Sequence, residues 1–144
     1  MSQRSGVVSL GSKGLVIGEE NYAVFAERTM KDLKDLKDAP ARRGSTSFGG
    51  LTTTKLRGIY GLVMNVYTKI NTPDDFEEHK SDLQYLRVKM AYEAGREDAV
   101  KTFLAKTRLM DLAADVGDYD QFKLYCRYAE SLVAYFKFYG GKDK

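Results

Sequence analysis

Cysteine and histidine are scarce in this chain, and each scarcity removes a class of function. A single cysteine, Cys126, cannot close a disulfide within the chain. It falls on an apolar helical stripe, where a thiol behaves as a small buried hydrophobe rather than a nucleophile. A single histidine, His79, leaves a Ser-His-Asp type triad with one candidate base and no partner nucleophile. Glu77, Glu78 and Asp82 lie near it, but zinc and di-iron sites need several His, Cys or Glu-x-x-His placements, which are missing. His79 therefore reads as an exposed residue in an acidic surface turn. The glycine-rich run 44–50 lacks the Lys-Ser or Lys-Thr that completes a phosphate-binding loop. There is no secretory pattern and no apolar run of about 18 residues, which excludes a membrane span and fits a reducing cytoplasm. The chain is expected to be non-catalytic, with no cofactor and no metal.

Acidic residues are also missing locally. No Asp or Glu occurs in residues 39–73, while Arg42, Arg43, Lys55, Arg57 and Lys69 all fall there. The stretch Asp74-Asp75-Phe76-Glu77-Glu78 then reverses the sign abruptly. A net charge of only +3 thus hides a segregation that makes one face attractive to polyanions. With 43% hydrophobic and 12% aromatic residues in 144, the composition is that of one globular domain.

No segment alternates as a strand would, and the fold class is all-α: a compact bundle of about five helices in a single domain. Residues 1–18 are rich in Gly and Ser without a clear period, and read as a flexible leader. A helical domain follows over 19–141, and 142–144 form a short tail. The first helix is expected over 20–36, with Tyr22, Phe25, Ala26, Thr29, Met30, Leu33 and Leu36 inward and alternating Lys and Asp outward. Pro40 and the glycines from Gly44 break it into a loop carrying Arg42 and Arg43.

A second helix is capped by one of Thr52 to Thr54 and runs inward on Leu56, Ile59, Val63, Val66 and Ile70. Gly58, Gly61 and Asn65 share another of its faces. Either they merely weaken the helix, at about 1 kcal/mol per glycine, or they form a contact surface for a neighbouring helix or chain. A third helix, starting at Asp74 or Ser81 and ending at Gly95, places Leu83, Leu86, Met90 and Ala94 on one side. Tyr85, Val88 and Tyr92 on its other sides imply burial on more than one face. A fourth is expected over 98–116. The last, 119–139, carries the stripe Phe122, Cys126, Ala129, Val133, Phe136 between an Asp118 cap and the Gly140-Gly141 stop.

Three segments resemble a known family. Cys126-Arg127-Tyr128 with Leu132-Val133-Ala134-Tyr135-Phe136-Lys137-Phe138-Tyr139-Gly140-Gly141-Lys142 is similar to the C-terminus of the small subunit of type III-A CRISPR effector (Csm) complexes. Leu51-Thr52-Thr53-Thr54-Lys55-Leu56-Arg57 resembles that family's entry into its second helix. Tyr85-Leu86-Arg87-Val88-Lys89 with Tyr92-Glu93-Ala94-Gly95-Arg96-Glu97 resembles its central motif. The resemblance spans residues 19–142.

It implies a non-catalytic, RNA-binding antiviral-defence subunit that stacks head to tail in an inner filament and lines the channel where guide and target RNA pair. The implied partners are CRISPR guide RNA, target RNA, the backbone and large subunits of the complex, and copies of itself. By the same resemblance Lys55 and Arg57 are the first choices for phosphate contacts, with amides of the helix N-terminus beside them. Arg87, Arg96, Lys101 and Arg127 follow, while Lys89 and Thr54 are weaker candidates. Arg127 has an alternative role, as an internal ion-pair holder for Glu93, Glu97 or Glu130. A helical adaptor whose basic face docks an acidic partner without RNA is the alternative function.

Overall fold

A computed structural model of the chain describes residues 8–12, 15–36 and 48–143. The expected loop cations Arg42 and Arg43, with Pro40 and Gly44, lie outside the described residues. Seven helices are present among them: α1 (Tyr22–Lys34), α2 (Thr53–Tyr67), α3 (Pro73–His79), α4 (Ser81–Arg96), α5 (Asp98–Thr107), α6 (Leu109–Asp115) and α7 (Tyr119–Phe138). Two short strands, β1 (Ser9–Ser12) and β2 (Leu15–Gly18), precede them.

Helix α7 is the axis of the bundle. Asp118 caps it by accepting the Gln121 N–H at 2.8 Å, and Gly140, at φ 93°, turns the chain out of it. Both signals are legible in sequence, since an Asp cap and a left-handed glycine satisfy the orphan groups at the two ends. The helix is buried on a wider arc than its expected stripe. Phe122, Cys126, Ala129 and Phe136 are inside, but so are Leu124, Tyr125, Tyr128 and Leu132. It packs against α1 on one side and α2 on another, while α4 lies against α2, α5 and α6. Aromatic rings interlock along it, with Phe76 of α3 and Phe48 approaching Phe122 and Phe136 at centroid distances of 6.2 and 4.7 Å.

The helix count differs from the expected five for two physical reasons. The third expected helix is divided at Lys80: the short α3, capped by Thr72 on the Asp75 N–H, exists to bury Phe76. Its continuation α4 passes through Gly95 and stops at Arg96, because Glu97 turns extended. The fourth expected helix breaks at Arg108, which takes the left-handed φ of 62°. That conformation costs a non-glycine residue roughly 1–2 kcal/mol, so something outside the helix must support it. Two buried tyrosines of α7 do so. Tyr128 donates its hydroxyl to the Thr107 carbonyl and Tyr125 to the Leu109 carbonyl, each at 2.8 Å. The Thr107 hydroxyl donates back to Phe103 O at 2.9 Å and accepts the Leu109 N–H at 3.2 Å.

The expectation of no strands, and of a patternless leader, is corrected at residues 8–12 and 15–18. β1 and β2 pair antiparallel with Leu10 opposite Ile17. Both side chains are buried in the same core as the helices, and Gln121 of α7 donates to Ser9 O at 3.0 Å. Four-residue strands are too short for an alternating pattern to show, and two inward side chains suffice to dock them. Among the described residues no helix is long and apolar enough to cross a membrane.

Candidate nucleic-acid interface

Helix α2 turns its inner stripe, Leu56, Ile59, Val63 and Val66, into the core. Its solvent side then carries Thr54, Gly58, Gly61 and Asn65, spaced three and four apart on one face. A methyl group built on Gly58 or Gly61 would meet nothing within 4 Å. Among the described residues nothing packs against Gly58 or Gly61, and this part of the face is an uncharged strip of nearly bare backbone.

Two walls flank the strip. On one side α4 is tied to α2 by the ion pairs Lys55–Glu97 at 3.2 Å and Lys69–Asp82 at 3.4 Å. Arg96, next to Glu97, pairs with Glu93 at 3.3 Å and lies over the Tyr92 ring at 5.6 Å. Lys89, seven residues beyond Asp82 and so on the same edge, lies over the Tyr85 ring at 4.6 Å. On the other side the end of α7 and the tail return to the start of α2. Lys137 Nζ reaches Thr53 Oγ1, Gly141 O and Asp143 Oδ1 at 3.3, 3.3 and 3.1 Å. Arg57 stands on this second edge, and its charge acts on Asp143. Hydrogen bonds from Lys137 and Thr53, and the charges of Lys137 and Arg57, hold the Asp143 carboxyl below its ordinary value.

The expected site residues are thus only partly gathered. Lys55 and Arg57 lie on opposite margins of the strip at the start of α2. Arg96 adjoins Lys55 through Glu97, and exposed Lys101 follows one turn later on α5. Lys101 also rims an apolar cavity of about 420 Å³ between α4, α5 and α6, lined by Ala94, Leu104, Ala105 and Met110. Arg87 is nine residues from Arg96, half a turn away around α4, and so faces a different flank. It donates to Gln84 Oε1 at 3.4 Å, while its Nε is enclosed and has no hydrogen-bond partner among the described residues.

Arg127 sits ten residues before Lys137, roughly 15 Å along the helix. It borders a small hollow of about 70 Å³ with Glu19 and Asp120. Its alternative role as an ion-pair holder is not realised: Glu97 and Glu93 are engaged by Lys55 and Arg96. Among the described residues no carboxylate lies within ion-pair distance of the Arg127 guanidinium.

Two further expectations are corrected here. The amides at the α2 N-terminus are not all free for a ligand, because the Thr53 N–H donates to Lys142 O at 2.8 Å and the Lys55 N–H to Thr52 Oγ1 at 3.3 Å. Tyr85, Val88 and Tyr92, expected to be buried on a second face of α4, are 59%, 60% and 65% exposed. They form a contiguous apolar stripe at steps of three and four, of the kind that marks an interaction surface. His79 is half-buried at the end of α3, its Nδ1 3.5 Å from Asp82 Oδ2. Burial pushes the Cys126 thiol up to about 12. Sequence reasoning missed the corner where Thr53 meets Lys137 and Lys142, 84 and 89 residues away, because such distant pairs carry no local signal.

Residues 29–142 match the family model described as Csm2 Type III-A. Among curated proteins, one named CRISPR system Cms protein Csm2 from Enterococcus italicus is 44% identical over 121 residues, covering 80% of this chain and 86% of that protein. A protein of the same name from Streptococcus thermophilus is 38% identical over 128 residues, 89% of this chain and 98% of the relative. Its counterpart from Mycobacterium tuberculosis is 33% identical over 126 residues, 85% and 99% of the two chains.

Proposed function

The chain belongs to the Csm2 Type III-A family, and from that premise we propose that it is a non-catalytic small subunit of a type III-A CRISPR effector complex. It stacks with copies of itself in an inner filament beside the backbone and large subunits. Along the guide–target channel it grips the RNA backbone, in the cytoplasm.

The observation that carries the RNA reading is the uncharged α2 strip with cations on both margins. Phosphodiesters need positive charge at intervals and room to approach, and both are present. Lys55, Arg96 and Lys137 are held in exposed ion pairs, which contribute little to stability, roughly 0–1 kcal/mol each. Exchanging a carboxylate partner for an RNA phosphate therefore costs the fold almost nothing. Base pairing between guide and target reads sequence, so the protein has only to hold phosphates and duplex shape. The open α4 stripe of Tyr85, Val88 and Tyr92 supports the stacking half of the proposal, because tyrosine-rich apolar patches on helices serve as protein contacts.

The test is a complex reconstituted with Lys55→Ala and Arg57→Ala together. Target RNA binding should weaken for every matched guide–target pair alike. The slope of log affinity against log salt should flatten by roughly 0.7 for each single-strand phosphate that the protein no longer neutralises. Adding the wild-type subunit should restore capture without adding a cleavage site. If the double variant assembles and holds target with an unchanged slope, the adaptor reading, in which the subunit touches only protein, replaces this one.

A further inference from the structure

Lys142 and Asp143 run back over the start of α2 and settle at the mouth of a cavity of about 380 Å³ lined by Thr53, Thr54, Arg57 and Lys137. The donors there are those of an anion subsite: one ammonium, one guanidinium, two hydroxyls and the first amide of a 15-residue helix. Asp143 is itself part of the lining, and oxygens of the chain take these donors, with the Arg57 guanidinium acting on Asp143 through its charge. Lys142 O accepts from the Thr53 amide at 2.8 Å and the Thr53 hydroxyl at 3.2 Å. Asp143 O accepts from the Thr54 hydroxyl at 3.4 Å. The Asp143 carboxylate takes the Lys137 ammonium at 3.1 Å.

These contacts are built to be left. The Asp143 side chain is 78% exposed, so its ion pair is screened and weak. The residue before them is fixed instead: Gly141 is buried and its N–H donates to Phe136 O at 2.8 Å. A release of residues 142–143 hinges there and leaves the core intact.

We infer that the Lys142–Asp143 segment is an internal stand-in for a phosphodiester, occupying a phosphate subsite of Arg57, Lys137, Thr53 and Thr54 until an RNA backbone displaces it. This rests on the RNA-gripping reading and adds to it a subsite and a built-in competitor. The competitor lowers affinity for stray RNA, because any strand entering the subsite must first expel a carboxylate. A guide–target duplex held by many other contacts can do so.

The experiment compares the full chain with its Asp143→Asn, Lys137→Ala and combined variants, using a short oligouridylate and the assembled complex with target RNA. Asp143→Asn should bind oligouridylate roughly two- to five-fold more tightly, the range an exposed ion pair can hold back. Its salt slope should steepen by up to about 0.7, because Lys137 then meets phosphate without a rival. Asp143→Glu should behave as wild type, and adding Lys137→Ala to Asp143→Asn should erase the gain. In NMR of the wild-type chain, oligouridylate should shift the Thr53 amide and sharpen the Lys142 and Asp143 resonances. If Asp143→Asn binds no better while Lys55→Ala with Arg57→Ala still weakens binding, the tail is not in the phosphate's place and the RNA reading stands. If neither set of variants changes RNA binding, the RNA reading falls and this inference falls with it.

Discussion

Removing the hydroxyl of Tyr128 tests whether helix α7 holds the break between α5 and α6. Tyr128 is fully buried and donates to Thr107 O at 2.8 Å, and the Thr29 hydroxyl bonds to the same phenol oxygen. The turn at Arg108 ends α5, so no helical donor replaces Tyr128 on the Thr107 carbonyl. Tyr128→Phe therefore strands a buried carbonyl and a buried hydroxyl, at a cost of about 1–3 kcal/mol. Tyr125→Phe is the internal comparison. Its hydroxyl donates to Leu109 O at the same 2.8 Å, but Leu109 lies inside α6 and keeps its helical donor four residues on. Only the net worth of one hydrogen bond is lost there, about 0.5–1.5 kcal/mol. Unfolding entropy of roughly 2.1 cal/mol/K per residue converts these to a Tm drop of about 3–10 °C for Tyr128→Phe and about 2–5 °C for Tyr125→Phe. Calorimetry of both variants, with urea m-values to confirm an unchanged unfolded state, decides it. Equal shifts, or a larger one for Tyr125→Phe, would refute the claim that tertiary donors sustain the break.

Cys126 should resist iodoacetamide at pH 8 in the native chain and react within minutes in urea, because burial holds the thiol neutral with its pKa raised to about 12. Its folded value is raised above 9.0, so its contribution to stability is complete below pH 9 and is lost as pH climbs toward 12. Denaturant midpoints that stay flat from pH 9 to 11.5 would contradict this. Gly141→Ala should destabilise by roughly 1–3 kcal/mol, since its Cβ would overlap the Phe136 ring. Gly140→Ala, with φ 93° but open space around it, should lose about 1–2 kcal/mol through backbone strain alone; a smaller loss for Gly141→Ala than for Gly140→Ala would show the tail is not seated on Phe136. Val88→Asp should weaken self-association, measured by sedimentation or by copies retained per complex, while monomer stability moves by no more than about 0.5 kcal/mol. Unchanged association would remove the α4 stripe from the stacking interface.

Much of the helical content was legible because its signals are local. Thr52, Asp118 and Gly140 act within about four residues of the ends they set, and the inward stripes of α1 and α2 follow from a 3.6-residue period. The resemblance in three segments was legible too, and the family match over residues 29–142 agrees with it. What failed to show was whatever depends on distant partners. The period of α5 runs smoothly into α6, and the turn at Arg108 is braced by Tyr125 and Tyr128, 16 and 21 residues onward from their acceptors. β1 and β2 are four residues each, too brief for alternation, and owe their order to the core that receives Leu10 and Ile17.

The candidate interface divides the same way. Sequence alone could mark Lys55, Arg57 and Arg96 as cations, because charge is a property of the residue. It could not tell that Lys55 and Arg96 are already paired, or that Arg57 faces a carboxylate 86 residues along the chain. Nor could it tell that the α2 glycines face solvent between two charged margins, since a pairing or an exposed face exists only once helices far apart in the chain have packed. Chain composition and period therefore determined the elements and their charges, while tertiary packing decided which of those charges, and which apolar faces, remain available to a partner.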